Sequence, residues 1–194
     1  MNVLRFVQSI SILATLTLIL IASFFLGPAE AADASLTDIV ITNVEDHLLV
    51  YVTVTDCFTE EMKKAIDNGI NTTFTVFVKL YEVKRLWFDK KIAHLQVNHE
   101  IQYDSLKKVY RVRLSENENK VISVDDFNEA RKLMTEIVGL RVAELGSLRE
   151  GYRYEVRMMA ELDKIRLPLH LHYVFFFLSL WDFETDWYTV DFKY

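Results

Sequence analysis

Tyr152-Arg153-Tyr154-Glu155-Val156-Arg157-Met158-Met159-Ala160-Glu161-Leu162 decides the fold. Tyr152, Tyr154, Val156, Met158, Ala160 and Leu162 alternate with Arg153, Glu155, Arg157 and Glu161, and Asp163 follows. A period of two places one set on an apolar face and the other in water, the signature of a strand packed on one side only. The pattern recurs upstream. Leu48, Val50, Val52 and Val54 share a face, with a turn at Glu45-Asp46 joining them to a strand near 36–44. Phe74, Val76, Val78 and Leu80 form a second stripe. Ala93, Leu95, Val97, His99, Ile101 and Tyr103 point opposite to His94, Gln96, Asn98, Glu100, Gln102 and Asp104. Tyr110, Val112 and Leu114 oppose Arg111, Arg113 and Ser115. Half-wet strands belong to antiparallel sheets, whereas a doubly wound parallel sheet needs continuous apolar strands separated by crossover helices. The pattern predicts a mainly β, antiparallel, sandwich-like domain of seven to nine strands.

Two short helices interrupt the strands. Phe58, Met62, Ala65 and Ile66 follow helical spacing, with Thr59 as N-cap and Asn68-Gly69 as stop. A second helix is expected after Ser123 as hydroxyl cap, with Asp125 and Asp126 in its first turn. Its apolar face would be Phe127, Ala130, Leu133/Met134 and Ile137/Val138.

The amino-terminal segment reads differently. Arg5 precedes an apolar run, Ile10 to Leu26, and then Gly27-Pro28-Ala29-Glu30-Ala31-Ala32-Asp33-Ala34. One basic residue, a greasy stretch and small residues at A-x-A spacing describe a secretory signal peptide over residues 1–31, followed by one domain over 32–194. The alternative is an uncleaved inner-membrane anchor formed by residues 10–26. Its 17 residues are short of the about 20 that span comfortably, and the proline and small residues favour cleavage. The expected location is the periplasm. Without Arg5 and Glu30 the chain keeps 21 basic and 27 acidic residues, net -6. Such a surface argues against nucleic-acid binding, and Lys63-Lys64, Lys90-Lys91 and Lys107-Lys108 are separated pairs. Cys57 is the only cysteine, so an exported form has no internal disulfide. Asn71-Thr72-Thr73 has the form of a glycosylation sequon.

Catalytic signals are sparse. His170 and His172 follow Pro168 at a spacing that would let two imidazoles on one strand face reach a metal, with His94 or His99 as a third ligand only if folding brought it there. They are the basis of a metal-dependent hydrolase alternative. No G-x-S-x-G elbow or glycine-rich phosphate loop is present. Asp182, Glu184, Asp186 and Asp191 offer carboxylate pairs, as acidic loops do. The aromatics say more. Phe175-Phe176-Phe177-Leu178 leads to Trp181, Trp187 and Tyr188, while Arg85-Leu86-Trp87-Phe88 lies in an earlier hairpin. Packed together they would cap the core. Exposed, Trp87, Phe88, Trp181, Trp187 and Tyr188 would form a binding face for an envelope protein or a lipid-like component.

The helix leading into Asn68-Gly69-Ile70, the strand 74–81, Arg85-Leu86-Trp87-Phe88-Asp89, Tyr103-Asp104-Ser105-Leu106 with Tyr110-Arg111-Val112, the stretch 152–162, and Leu167-Pro168-Leu169 before Trp181 also carry a resemblance. Together they resemble a bacterial family of exported proteins, domain of unknown function 4390. The resemblance implies a setting beside nitrogen-regulation-type sensor kinases, and hence envelope sensing. It transfers no catalytic residue and no cofactor. His170–Phe177 is more aromatic than the family pattern. The expected function is a noncatalytic periplasmic binding or sensing module linked to an envelope sensor kinase system, or alternatively a structural envelope-associated protein.

Overall fold

A computed structural model describes residues 34–163 and 183–194. The described residues form nine strands in two antiparallel sheets with two short helices, the sandwich-like architecture that the alternation predicts. The strands are β1 (Ser35–Val44), β2 (His47–Thr55), β3 (Thr72–Glu82), β4 (Lys90–Asp104), β5 (Val109–Leu114), β6 (Lys120–Val124), β7 (Glu136–Glu144), β8 (Arg153–Leu162) and β9 (Tyr188–Lys193). One sheet has the order β1-β2-β7 and the other β6-β5-β4-β3-β8-β9. The helices are α1 (Glu60–Asp67) and α2 (Phe127–Thr135).

The predicted inward stripes build the core. Val50, Val52 and Val54 of β2 join Ile137 and Val142 of β7 in one apolar cluster with Phe74, Val78 and Leu80 of β3, Ile101 of β4 and Val156 and Met158 of β8. Burying a large aliphatic or aromatic side chain is worth about 1.5–3 kcal/mol, so two facing stripes suffice without a disulfide. Cys57 is buried and forms no disulfide. The turn between β1 and β2 falls at Glu45-Asp46, with Glu45 at φ 51°. The three-stranded sheet is narrower than its partner, and the helices extend the cover: α1 packs on β4, while α2 packs on β4 and β5.

Thr59 caps α1, its hydroxyl accepting the Met62 amide at 3.2 Å. The second helix differs from expectation in two ways. Its cap is Asp126, whose Oδ1 accepts from the amides of Asn128 (2.8 Å) and Glu129 (3.1 Å), whereas Ser123 lies in β6. A carboxylate at the positive end of the helix makes a strong cap, and Ser123, its backbone paired with Arg111 in the β5–β6 ladder, lies too far upstream to reach the first helical amides. The helix also stops at Thr135, and Ile137 and Val138 open β7. Ile137 is buried while Val138 is 68% exposed, alternation that a helix face would not produce. β-branched residues favour the pleated conformation, and β2 supplies the partner that fixes it, with Val52 opposite Ile137. Tyr152 also departs from its stripe: it precedes β8, is half exposed, and stacks on the Arg149 guanidinium at 4.1 Å.

Candidate functional site

β3 and β4 form the long central hairpin of the larger sheet, with Glu82 opposite Lys90 at its end. Residues 83–89 connect them. Leu86, Trp87 and Phe88 are 90%, 81% and 95% exposed, so three consecutive large apolar side chains stand in water at the turn. They do not cap the core. Isolated exposed apolar residues are ordinary, but a contiguous group at a protruding tip is not.

The base of this tip is fastened. Asp89 accepts from the Lys84 amide at 3.3 Å and from the Arg157 guanidinium at 3.0 Å. Arg157 also binds Glu155 at 2.9 Å through Nε and lies 4.5 Å from the Tyr81 ring centroid. The Val83 amide donates to the Arg153 carbonyl at 2.9 Å. Below it, the buried Glu82 carboxylate accepts from Arg149, which holds its pKa below the ordinary glutamate range. Lys84, Arg85, Lys90 and Lys91 surround the tip, exposed and without an ion pair among the described residues. The neck is pinned by these contacts, and its collar is basic.

The other aromatic candidates lie elsewhere. Trp187 precedes β9, its ring 3.9 Å beneath the Lys79 ammonium on the outer face of the larger sheet, and Tyr188 begins β9. Both are somewhat under half exposed, at 43% and 48%. No ring contact among the described residues joins either to Trp87 or Phe88. Trp181 lies outside the described residues, as do residues 1–33, His170 and His172. Phe183, not singled out by the sequence, is buried edge-on against Phe74 at 5.2 Å.

The chemistry available to the buried polar groups is limited. Cys57 is pushed up to about 12, chiefly by burial, with the neighbouring Asp56 charge acting in the same direction. Its thiol is therefore a poor nucleophile at neutral pH. His99 is not free to bind a metal: Nδ1 is 3.0 Å from the Met134 carbonyl and Nε2 is 2.9 Å from Glu116 Oε1. A carbonyl only accepts, so Nδ1 carries a proton. His99 thereby caps the C-terminal turn of α2 and ties it to β4 and to the 3-10 turn 115–117. Glu116 Oε2 is buried without a partner. Burial pushes the Glu116 carboxyl upward, but His99 outweighs it and holds the pKa below the usual range. A cleft of about 560 Å³ beside this pair is lined by Gln96, Ser115, Glu116, Asn117, Gly139 and Arg141, with no imidazole among its described lining residues, and His99 is engaged at both nitrogens.

His94 is exposed on the outer face of β4, its ring 6.3 Å from that of Phe77. No group of three or more His, Cys, Asp or Glu among the described residues could hold a metal ion. Of the acidic C-terminal residues, Asp191 lies 3.9 Å from Arg153, Glu184 bridges Glu161 through its backbone, and Asp182 lies outside the described residues. Among the described residues no helix is long and apolar enough to cross a membrane. No curated protein matches this chain, and no solved structure does. A family model described as Domain of unknown function (DUF4390) matches residues 31–191, which is most of the sequence and all but the end of β9. The chain belongs to the DUF4390 family.

Proposed function

We propose that this chain is an exported, noncatalytic recognition module of the periplasm that engages an envelope component through the hairpin tip at Leu86, Trp87 and Phe88. The observation that carries the reading is the exposure of these three side chains on a pinned neck. Leaving such side chains in water sacrifices burial, and aromatic anchors presented on a rigid support lose little entropy when they dock. The signal-peptide-like leader supports export. The noncatalytic part of the reading is supported by Cys57, His99 and Glu116, whose reactive atoms are turned inward or already bonded. A sensing role beside a sensor kinase is the cellular setting that the family resemblance implies.

The test is site-specific photo-crosslinking in intact cells, with a benzophenone amino acid at Trp87 or Phe88 and, as a control, at Val121 on the far edge strand β6. Adducts formed at 87 and 88 but not at 121, and lost on Leu86→Ser, support recognition by the tip. Equal adduct patterns at all three positions remove its basis.

A further inference from the structure

We infer that the component engaged by the tip is an anionic phospholipid bilayer, into whose interface Leu86, Trp87 and Phe88 insert. The inference rests on the recognition reading above and names the partner. Three observations point to lipid. The first is shape. The tip is convex, projecting past the last paired residues, Glu82 and Lys90, of the longest hairpin in the sheet. A protein partner would have to provide a matching pocket for three large side chains, whereas a bilayer interface deforms around them.

The second observation is composition. Leucine and phenylalanine suit the acyl boundary. Tryptophan, with an apolar body and one N–H donor, suits the headgroup level, where it is enriched. The third is charge. Lys84, Arg85, Lys90 and Lys91 flank the tip, and the one carboxylate among residues 83–91, Asp89, is engaged by Arg157. The tip is thus locally cationic on a chain whose net charge is -6. An anionic surface repels most of this molecule and attracts this end, so the field orients the hairpin before contact. The long stems of the lysines allow the ammonium groups to stay at the phosphates while the apolar tip goes deeper. Tyr81, stacked with Arg157, and Lys79, over Trp187, continue aromatic and basic residues down the outer face toward the other edge.

The experiment uses the full chain with an environment-sensitive dye at Phe88→Cys and, in a second preparation, at Leu106→Cys. Leu106 is 94% exposed in the β4–β5 turn, at the opposite end of β4 from the tip. Labelling is selective because Cys57 is 2% exposed. The leader's apolar run carries no charge, so attachment through it would not distinguish anionic from zwitterionic vesicles. With vesicles of phosphatidylglycerol and phosphatidylethanolamine, the dye at 88 shifts to the blue and becomes quenchable by spin-labelled lipid, while the dye at 106 stays in water. Phosphatidylcholine vesicles give no shift. Lys90→Glu with Lys91→Glu removes the shift at 88, with far-UV circular dichroism unchanged. A water-like dye at 88 on anionic vesicles, equal shifts at 88 and 106, or indifference to lipid charge overturns the inference. A crosslinked protein at Trp87 with no lipid shift at 88 would sink the bilayer alone and leave recognition by the tip standing. Identical crosslinks at the tip and at Val121 would sink both.

Discussion

Replacing His99 by leucine should destabilise the protein severely, and the loss should depend on pH with a predictable sign. His99 is 3% exposed, and the side chains of His99 and Glu116 are 4% and 10% exposed at their contact. Removing one member of such a buried pair costs roughly 3–5 kcal/mol, because a carboxylate stays behind in a poor solvent. The Met134 carbonyl at the end of α2 also loses its donor, for about 1 kcal/mol more.

In the wild type, Glu116 is held below its ordinary range. It therefore contributes stability that is present above about pH 4.3 and lost as pH falls through the lower folded-state value. In His99→Leu burial, the largest influence, raises the carboxyl against only a smaller lowering from a backbone hydrogen bond. The variant then gains from protonation, and its deficit against wild type should be largest near neutral pH and shrink toward pH 4. Urea unfolding followed by circular dichroism at several pH values measures this gap. The paired variant His99→Leu/Glu116→Leu should recover at least about 2 kcal/mol of the loss, since apolar replacement of both partners is far less costly. A gap independent of pH, or a double variant no better than the single, would refute the reasoning.

Three further outcomes are expected. Asp126→Ala should cost about 1 kcal/mol through loss of the α2 cap, and Ser123→Ala under about 0.5 kcal/mol, both read from urea midpoints; the reverse order would restore Ser123 as the cap. Arg149→Ala should raise the Glu82 pKa, so that its destabilisation is greatest at neutral pH and relaxes as pH falls below the ordinary glutamate range, measurable by thermal unfolding across that window. Cys57 should resist a disulfide reagent at pH 8 in the folded protein and react fully in guanidinium, a contrast that a colorimetric thiol assay reads directly.

What was legible in the sequence followed from one-sided burial. Val50, Val52 and Val54, or Phe74, Val76 and Val78, advertise their strands because each faces oil across from water. β6 is only five residues long with one fully buried position, too few to show a period. β7 begins where α2 ends, and Ile137-Val138 fits a helix face as well as a strand until β2 arrives to pair with it. The hairpin holding Trp87 and Phe88 could be located, but which way those rings turned could not, because residues 83–89 lie beyond the last paired residues, where no alternation assigns a face. His99 left a usable trace, a polar residue on an inward stripe between Val97 and Ile101. Its partners were invisible, because Glu116 and Met134 stand 17 and 35 positions away in other elements.

The last strand has a consequence for the order of events in the life of the chain. β9 sets Phe192 against Tyr154 at 5.6 Å, and the residues just before it seat Phe183 on Phe74 and lock Thr185 to the backbone of Ala160. Residues 183–194 therefore add the last pieces to a core begun more than a hundred residues earlier, at Leu36. Phe74 and Ala160 must therefore wait during synthesis for partners more than twenty residues downstream of β8, and a nascent chain stalled before Phe183 would present an open seam to whatever chaperone attends it.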